Sequence, residues 1–69
     1  MQTIKLKDDY IKLGQALKAA GLCESGVEAK FAVLDGKVKV NGAVELQRGK
    51  KLHDQDVVEY AGETIRLLK

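Results

Sequence analysis

Cys23 is the only cysteine in the chain, so no internal disulfide framework is available. The one histidine, His53, lies thirty positions from it, which leaves no four-ligand metal set. Proline is absent, and the aromatics number three: Tyr10, Phe31 and Tyr60. Two of them sit at core-like spacings, which gives no expectation of a base-stacking platform for single strands. No apolar run approaches a membrane span, and the opening stretch Met1–Lys7 is too polar for a secretion signal. With a lone free thiol, the expected compartment is a reducing cytoplasm, with no membrane partner. Catalytic chemistry is missing too. There is no Ser/His/Asp set, no paired carboxylates at a plausible cleft and no phosphate-binding glycine loop, since Gly49-Lys50-Lys51 lacks the rest of that motif. The expectation is a non-enzyme with no cofactor, metal or small-molecule substrate.

What remains is one domain of 69 residues, 1–69, too small for a large stability margin. Its net charge is only +2, but the charge is unevenly placed. From Lys30 to Lys51 there are six basic residues against two acids, or +4; the remainder holds six against eight, or −2. Such asymmetry points to a polyanion.

Gln2–Lys7 alternates with Ile4 and Leu6 on one side, the pattern of a half-buried strand. Asp8-Asp9 offers helix-starting carboxylates. Tyr10–Ala20 reads as a helix with Tyr10, Leu13, Leu17 and Ala20 on its apolar face and Gly21 ending it. Gly14 inside that helix costs roughly 1 kcal/mol relative to alanine, a cost that close packing would explain. Ser25-Gly26-Val27-Glu28 fits a capping box opening a second helix, Gly26–Asp35, closed by Gly36. This helix is apolar on two sides, through Ala29, Ala32 and Val33 and through Val27, Phe31 and Leu34, and is expected to be sandwiched. Cys23 is expected to be half-buried after the first helix.

After Gly36 the period changes to two, with Val38 and Val40 facing one way and Lys37, Lys39 and Asn41 the other. Asn41-Gly42 is a strong hairpin-turn signal, and Ala43–Glu45 begins the return. Gln47–Lys51 is a basic loop. Val57–Tyr60 and Thr64–Leu68 are strands around Ala61-Gly62. The fold class is α+β: a single small domain of two packed helices followed by a small, mostly antiparallel sheet.

Several segments together match a known pattern: Lys12-Leu13-Gly14-Gln15-Ala16-Leu17, Gly21, Ser25, Ala29-Lys30, Gly36-Lys37-Val38-Lys39-Val40-Asn41-Gly42 and Asp56-Val57-Val58. The chain resembles the ribosomal-protein-S-four-type domain, or α-L RNA-binding motif, over about residues 12–58, and in particular its short stand-alone YbcJ/YaaA-like members. The family pattern runs R-L-D-x-x-L, glycine, S-R-x-x-A, G-x-V-x-V-N-G, then G-D. Here Lys12 stands for the leading arginine, Gly14 for the aspartate, Gly26 for the arginine after the serine and Gln55 for the glycine before Asp56. Lys12 keeps the charge but loses the bidentate fork. The resemblance implies a helix pair and hairpin that hold structured RNA, ribosomal by family likeness, through phosphates, with ribosomal proteins as possible neighbours.

The residues carrying that expectation are Lys12, Ser25, Lys30, Lys37, Lys39, Asn41, Arg48, Lys50 and Lys51. Each also has a plain reading. Ser25 caps a helix, Asn41 forms a turn, and Lys37 and Lys39 protect a sheet edge. Lys5, Lys7 and Lys18 read as solvated, and His53 as a surface loop residue. Among rival functions, a helix-turn-helix would place only Lys30 on its recognition helix, without Arg, Asn or Gln for base edges. A ubiquitin-like carrier needs a Gly-Gly tail, which Leu67-Leu68-Lys69 is not. A protein-interaction adaptor stays open.

Overall fold

The computed structural model describes residues 1–69 and contains two helices and seven short strands. In chain order they are β1 (Gln2–Lys5), β2 (Ile11–Lys12), α1 (Leu13–Ala19), α2 (Gly26–Leu34), β3 (Lys39–Val40), β4 (Ala43–Val44), β5 (Lys51–Leu52), β6 (Val57–Tyr60) and β7 (Glu63–Leu68). Five of the strands form one sheet in the order β1-β7-β6-β3-β4, and β2 pairs with β5 as a separate ribbon. Every pairing is antiparallel except β1 with β7. This is the α+β arrangement expected from the change of period after Gly36.

The core is one cluster of 14 buried residues, all apolar. Leu13, Ala16 and Leu17 of α1 and Ala29, Ala32 and Val33 of α2 meet Val38, Val40, Leu52, Val58, Ile65 and Leu67 there. Small side chains on α2 let its backbone come close, which raises dispersion contact without long rotamer-rich groups. Cys23 belongs to this cluster at 2% exposure, deeper than half-buried, and burial pushes its thiol pKa up. A thiol so placed is a poor nucleophile.

Both helices stop in the same way. Gly21 and Gly36 take positive φ (+74° and +73°), where an L side chain is strained. The flanking N–H groups then reach back: Gly21 to the Lys18 carbonyl and Leu22 to Leu17, Gly36 to Val33 and Lys37 to Ala32. These are Schellman closures, satisfying carbonyls the helix end would otherwise leave unpaired.

The structure departs from expectation at both helices and at the sheet edge. The first helix begins at Leu13, not Tyr10, because Ile11 and Lys12 pair with Leu52 and Lys51 instead. The Gln15 side-chain oxygen accepts the Lys12 N–H and closes the helix start. Asp8 and Asp9 accordingly cap nothing; Asp9 forms a surface ion pair with Lys69. The second helix is not sandwiched: Val27, Phe31 and Leu34 are 63%, 57% and 56% exposed. A nine-residue helix at the rim of so small a domain meets the core along one stripe only. Finally, β3 lies between β6 and β4, so Lys39 does not guard a sheet edge.

Gln55 has φ +74°, at the position where the family pattern has glycine. A side chain in that left-handed region costs about 1–2 kcal/mol, offset in part by the larger unfolded-state entropy of glycine. Gln55→Gly is therefore expected to stabilise the domain by about 1 kcal/mol in urea unfolding, at unchanged m-value.

Candidate functional site

All nine residues singled out from the sequence are exposed, but they do not form one surface. The ribbon β2–β5 places Lys12 directly opposite Lys51, so two cations stand side by side where α1 begins. The loop that leads into β5 is tied down over that helix start. The Leu13 N–H donates to the Lys50 carbonyl and the Gly14 N–H to the Arg48 carbonyl, both at 2.9 Å. A Cβ at Gly14 would lie 3.6 Å from that Arg48 oxygen, so the glycine sits beneath the loop backbone. This is the close approach its presence in a helix suggested.

The result is a groove of about 430 Å³. Lys12, Lys18 and Arg48 line it, with Gln15 and the glycines 14, 26 and 49; no acid does. Lys18 was read from the sequence as merely solvated. It sits one turn after Gly14, on the same helix stripe, and that spacing was the available signal. What the spacing could not reveal was that Arg48, far along the chain, closes the other wall.

Gly26 brings in the start of α2. The Ser25 hydroxyl accepts the Glu28 N–H at 3.1 Å, the helix cap expected of it. The Glu28 carboxylate turns back to the Glu24 N–H rather than to that of Ser25. The first N–H groups of the helix, Gly26 and Val27, have no intrahelical acceptor, and they lie at the positive end of the dipole. Nothing lies within 4 Å of a Cβ built at Gly26, so the groove is open where the family arginine would stand. Lys30, one turn on, continues the Gly26 stripe. Three cations and glycine backbone, with no carboxylate in the groove lining itself, make a place for phosphate-type anions beside the start of α2, whose first turn carries Glu28.

The other predicted residues go elsewhere. Lys37 and Lys39 line a separate depression with Glu59 and Glu63, and Lys39 faces Glu59 across the strand pair. Lys50 is near enough to Asp56 to lower its pKa. Asn41 is committed internally. Its amide nitrogen donates to Asp56 Oδ1 at 3.0 Å, its side-chain oxygen accepts the Val57 N–H at 2.9 Å, and its own N–H donates to the Val57 carbonyl at 2.8 Å. Asp56 Oδ2 also accepts the His53 N–H at 2.7 Å. Burial alone would raise the Asp56 carboxyl; the hydrogen bonds from His53 and Asn41, with the charges of His53 and Lys50, outweigh it and hold the pKa below the ordinary value. Asn41 and Asp56 together pin the β3–β4 hairpin to the start of β6.

The aromatic residues also differ from expectation. Tyr10 and Phe31 are 40% and 57% exposed rather than in the core, and only Tyr60 packs against it.

Comparison with known proteins matches residues 4–68 to the S4 domain family. The chain is 38% identical over 69 residues to "Putative RNA-binding protein YbcJ" of Escherichia coli (strain K12), with 99% of both chains covered. It is 41% identical over 59 residues to "Probable ribosome maturation protein RlbA" of Bacillus subtilis (strain 168), covering 86% of this chain and 83% of that one. Among solved structures, the solution structure of YbcJ from E. coli, described as revealing an alfaL motif involved in RNA-binding, superposes with a TM-score of 0.77. That match is 37% identical and covers 100% of this chain and 89% of the other.

Proposed function

The chain belongs to the S4 domain family, and we propose that it binds folded RNA non-catalytically, holding backbone phosphates in the groove of Lys12, Lys18 and Arg48. The observation that carries this reading is the lining of that groove: three cations and no carboxylate, beside the start of α2. Lys30 and Lys51 extend the positive surface. Ser25 acts by capping α2 and Asn41 by shaping the hairpin, while Lys37 and Lys39 contribute less because Glu59 and Glu63 stand beside them. The target proposed is ribosomal RNA or a ribosome precursor in the cytoplasm. Support for that comes from a relative named for ribosome maturation. Folded RNA suits the site because phosphate geometry and shape, rather than base edges, dominate recognition of paired RNA.

The test is binding of the purified chain to a folded ribosomal RNA fragment across a salt series. With about three phosphates neutralised, log affinity should fall with log salt at a slope near −2.7, or about 40-fold between 50 and 200 mM. Gly26→Arg, filling the open position in the groove, should bind about tenfold more tightly at low salt and steepen the slope by about 0.9. A wild-type affinity indifferent to salt, or no binding at 50 mM, overturns the reading.

A further inference from the structure

A second cleft, of about 400 Å³, lies next to the basic groove, and Gln15 lines both. Its character is different. Ile4, Leu6, Ile11 and Ala19 give it apolar walls, and Tyr10 stands at its side. Tyr10 is 40% exposed, with the Lys51 ammonium 4.8 Å from its ring centroid and the His53 ring 6.2 Å away, tilted by 48°. Lys51 is in turn the cross-strand neighbour of Lys12 in the groove. Tyr10 and the phosphate groove are therefore joined on both sides, through Gln15 and through the Lys51–Lys12 pair.

The lining suits a phosphate less well than the groove does. Asp8 is part of it, and its carboxylate repels phosphate but accepts a hydrogen bond from an exocyclic amine. Apolar walls with one aromatic ring and a carboxylate acceptor suit a flat, partly polar heterocycle. Lys5 and Lys7 lie on the same cleft, able to meet the phosphates that flank such a group.

We propose that this cleft is a nucleobase subsite: an unpaired base, turned out of the RNA whose phosphates occupy the basic groove, packs against Tyr10 and the apolar wall. The inference rests on the RNA-binding reading and narrows it, since the preferred ligand is then a folded RNA with an extrahelical nucleotide. Sequence-selective RNA recognition generally uses such nucleotides, because paired bases in A-form helices are hard to reach.

Two RNA hairpins, identical except for one unpaired nucleotide, test it by fluorescence anisotropy, with 2-aminopurine at the unpaired position reporting its environment. The full chain should prefer the bulged hairpin by about tenfold, the usual scale of one base–aromatic stack. Tyr10→Leu should erase the preference while leaving affinity for the paired hairpin within about twofold, and should abolish the 2-aminopurine change. Tyr10→Phe keeps the ring and should keep both effects. Lys12→Gln with Lys18→Gln should weaken both hairpins together without removing the preference. If wild type does not distinguish the hairpins, or if Tyr10→Leu retains the discrimination, the subsite is wrong while phosphate binding stands. If neither hairpin binds, the RNA-binding reading itself falls. Tyr10 lies outside the core, and thermal melting of each variant checks that folding is intact.

Discussion

Replacing Lys12, Lys18 and Arg48 together by glutamine is expected to lower affinity for a folded RNA about a hundredfold at 50 mM salt and to flatten the salt slope by about 2.7. Each substitution removes a charge but keeps a polar side chain of comparable reach, so the groove keeps its shape. All three residues are exposed, and stability should change by less than about 0.5 kcal/mol, which thermal melting checks. The informative control is Lys37→Glu with Lys39→Glu. That pair alters the net charge more than the neutralising triple does, yet acts beside Glu59 and Glu63 rather than in the groove. Equal losses from the two variants would mean that net charge alone governs binding and that the groove has no special role.

The second large effect concerns stability. Asp56→Ala removes the acceptor for both the Asn41 amide and the His53 N–H. Hydrogen bonds to a charged group contribute about 1.5–3 kcal/mol when buried, and less when water can replace the partner. Asp56 is half-buried, so a loss of about 2 kcal/mol is expected in urea unfolding, a large share of the stability of so small a domain. Asp56→Asn should cost about half as much, because an amide can satisfy one of the two donors.

The same carboxylate sets a pH dependence. Its folded pKa lies below the ordinary 3.8, so its stabilisation is complete above that value and is lost as pH falls through the lower folded value. Asp9, lowered by its hydrogen bond and charge attraction to Lys69, acts in the same direction. Wild-type stability should therefore decline below pH 3.8, and the gap between wild type and Asp56→Asn should narrow there. A gap that stays constant from neutral pH to pH 2 would show that the Asp56 charge is not what stabilises the hairpin.

Much of the architecture was legible in local chemistry. The change of period at Gly36, the Asn41-Gly42 turn, the Ser25 cap and the glycines that end each helix depend on neighbours within a few residues. The structure agrees with each of them. The start of α1 was misread because Tyr10 and Leu13 have helical spacing, while the strand pairing of Ile11 and Lys12 with Leu52 and Lys51 is invisible from either segment alone. The apolar residues on both sides of α2 implied two packing partners, but residue type states only what a side chain tolerates. Whether Phe31 is covered depends on how much of the domain is left to cover it.

The candidate site divides along the same line. Sequence alone determined that the chain is a small α+β domain with an excess of positive charge in its middle, and it supplied most of the cations. Tertiary structure alone decided which of them stand together. It set Lys18 with Lys12 and Arg48 in an acid-free groove, placed Lys37 and Lys39 beside two glutamates, and used up the Asn41 side chain inside the fold. The physical reason is that helix stripes and strand alternation are local geometry, whereas an electrostatic site is a sum over charges brought near by chain reversals. Its sign depends on where the acids go as much as on where the lysines do.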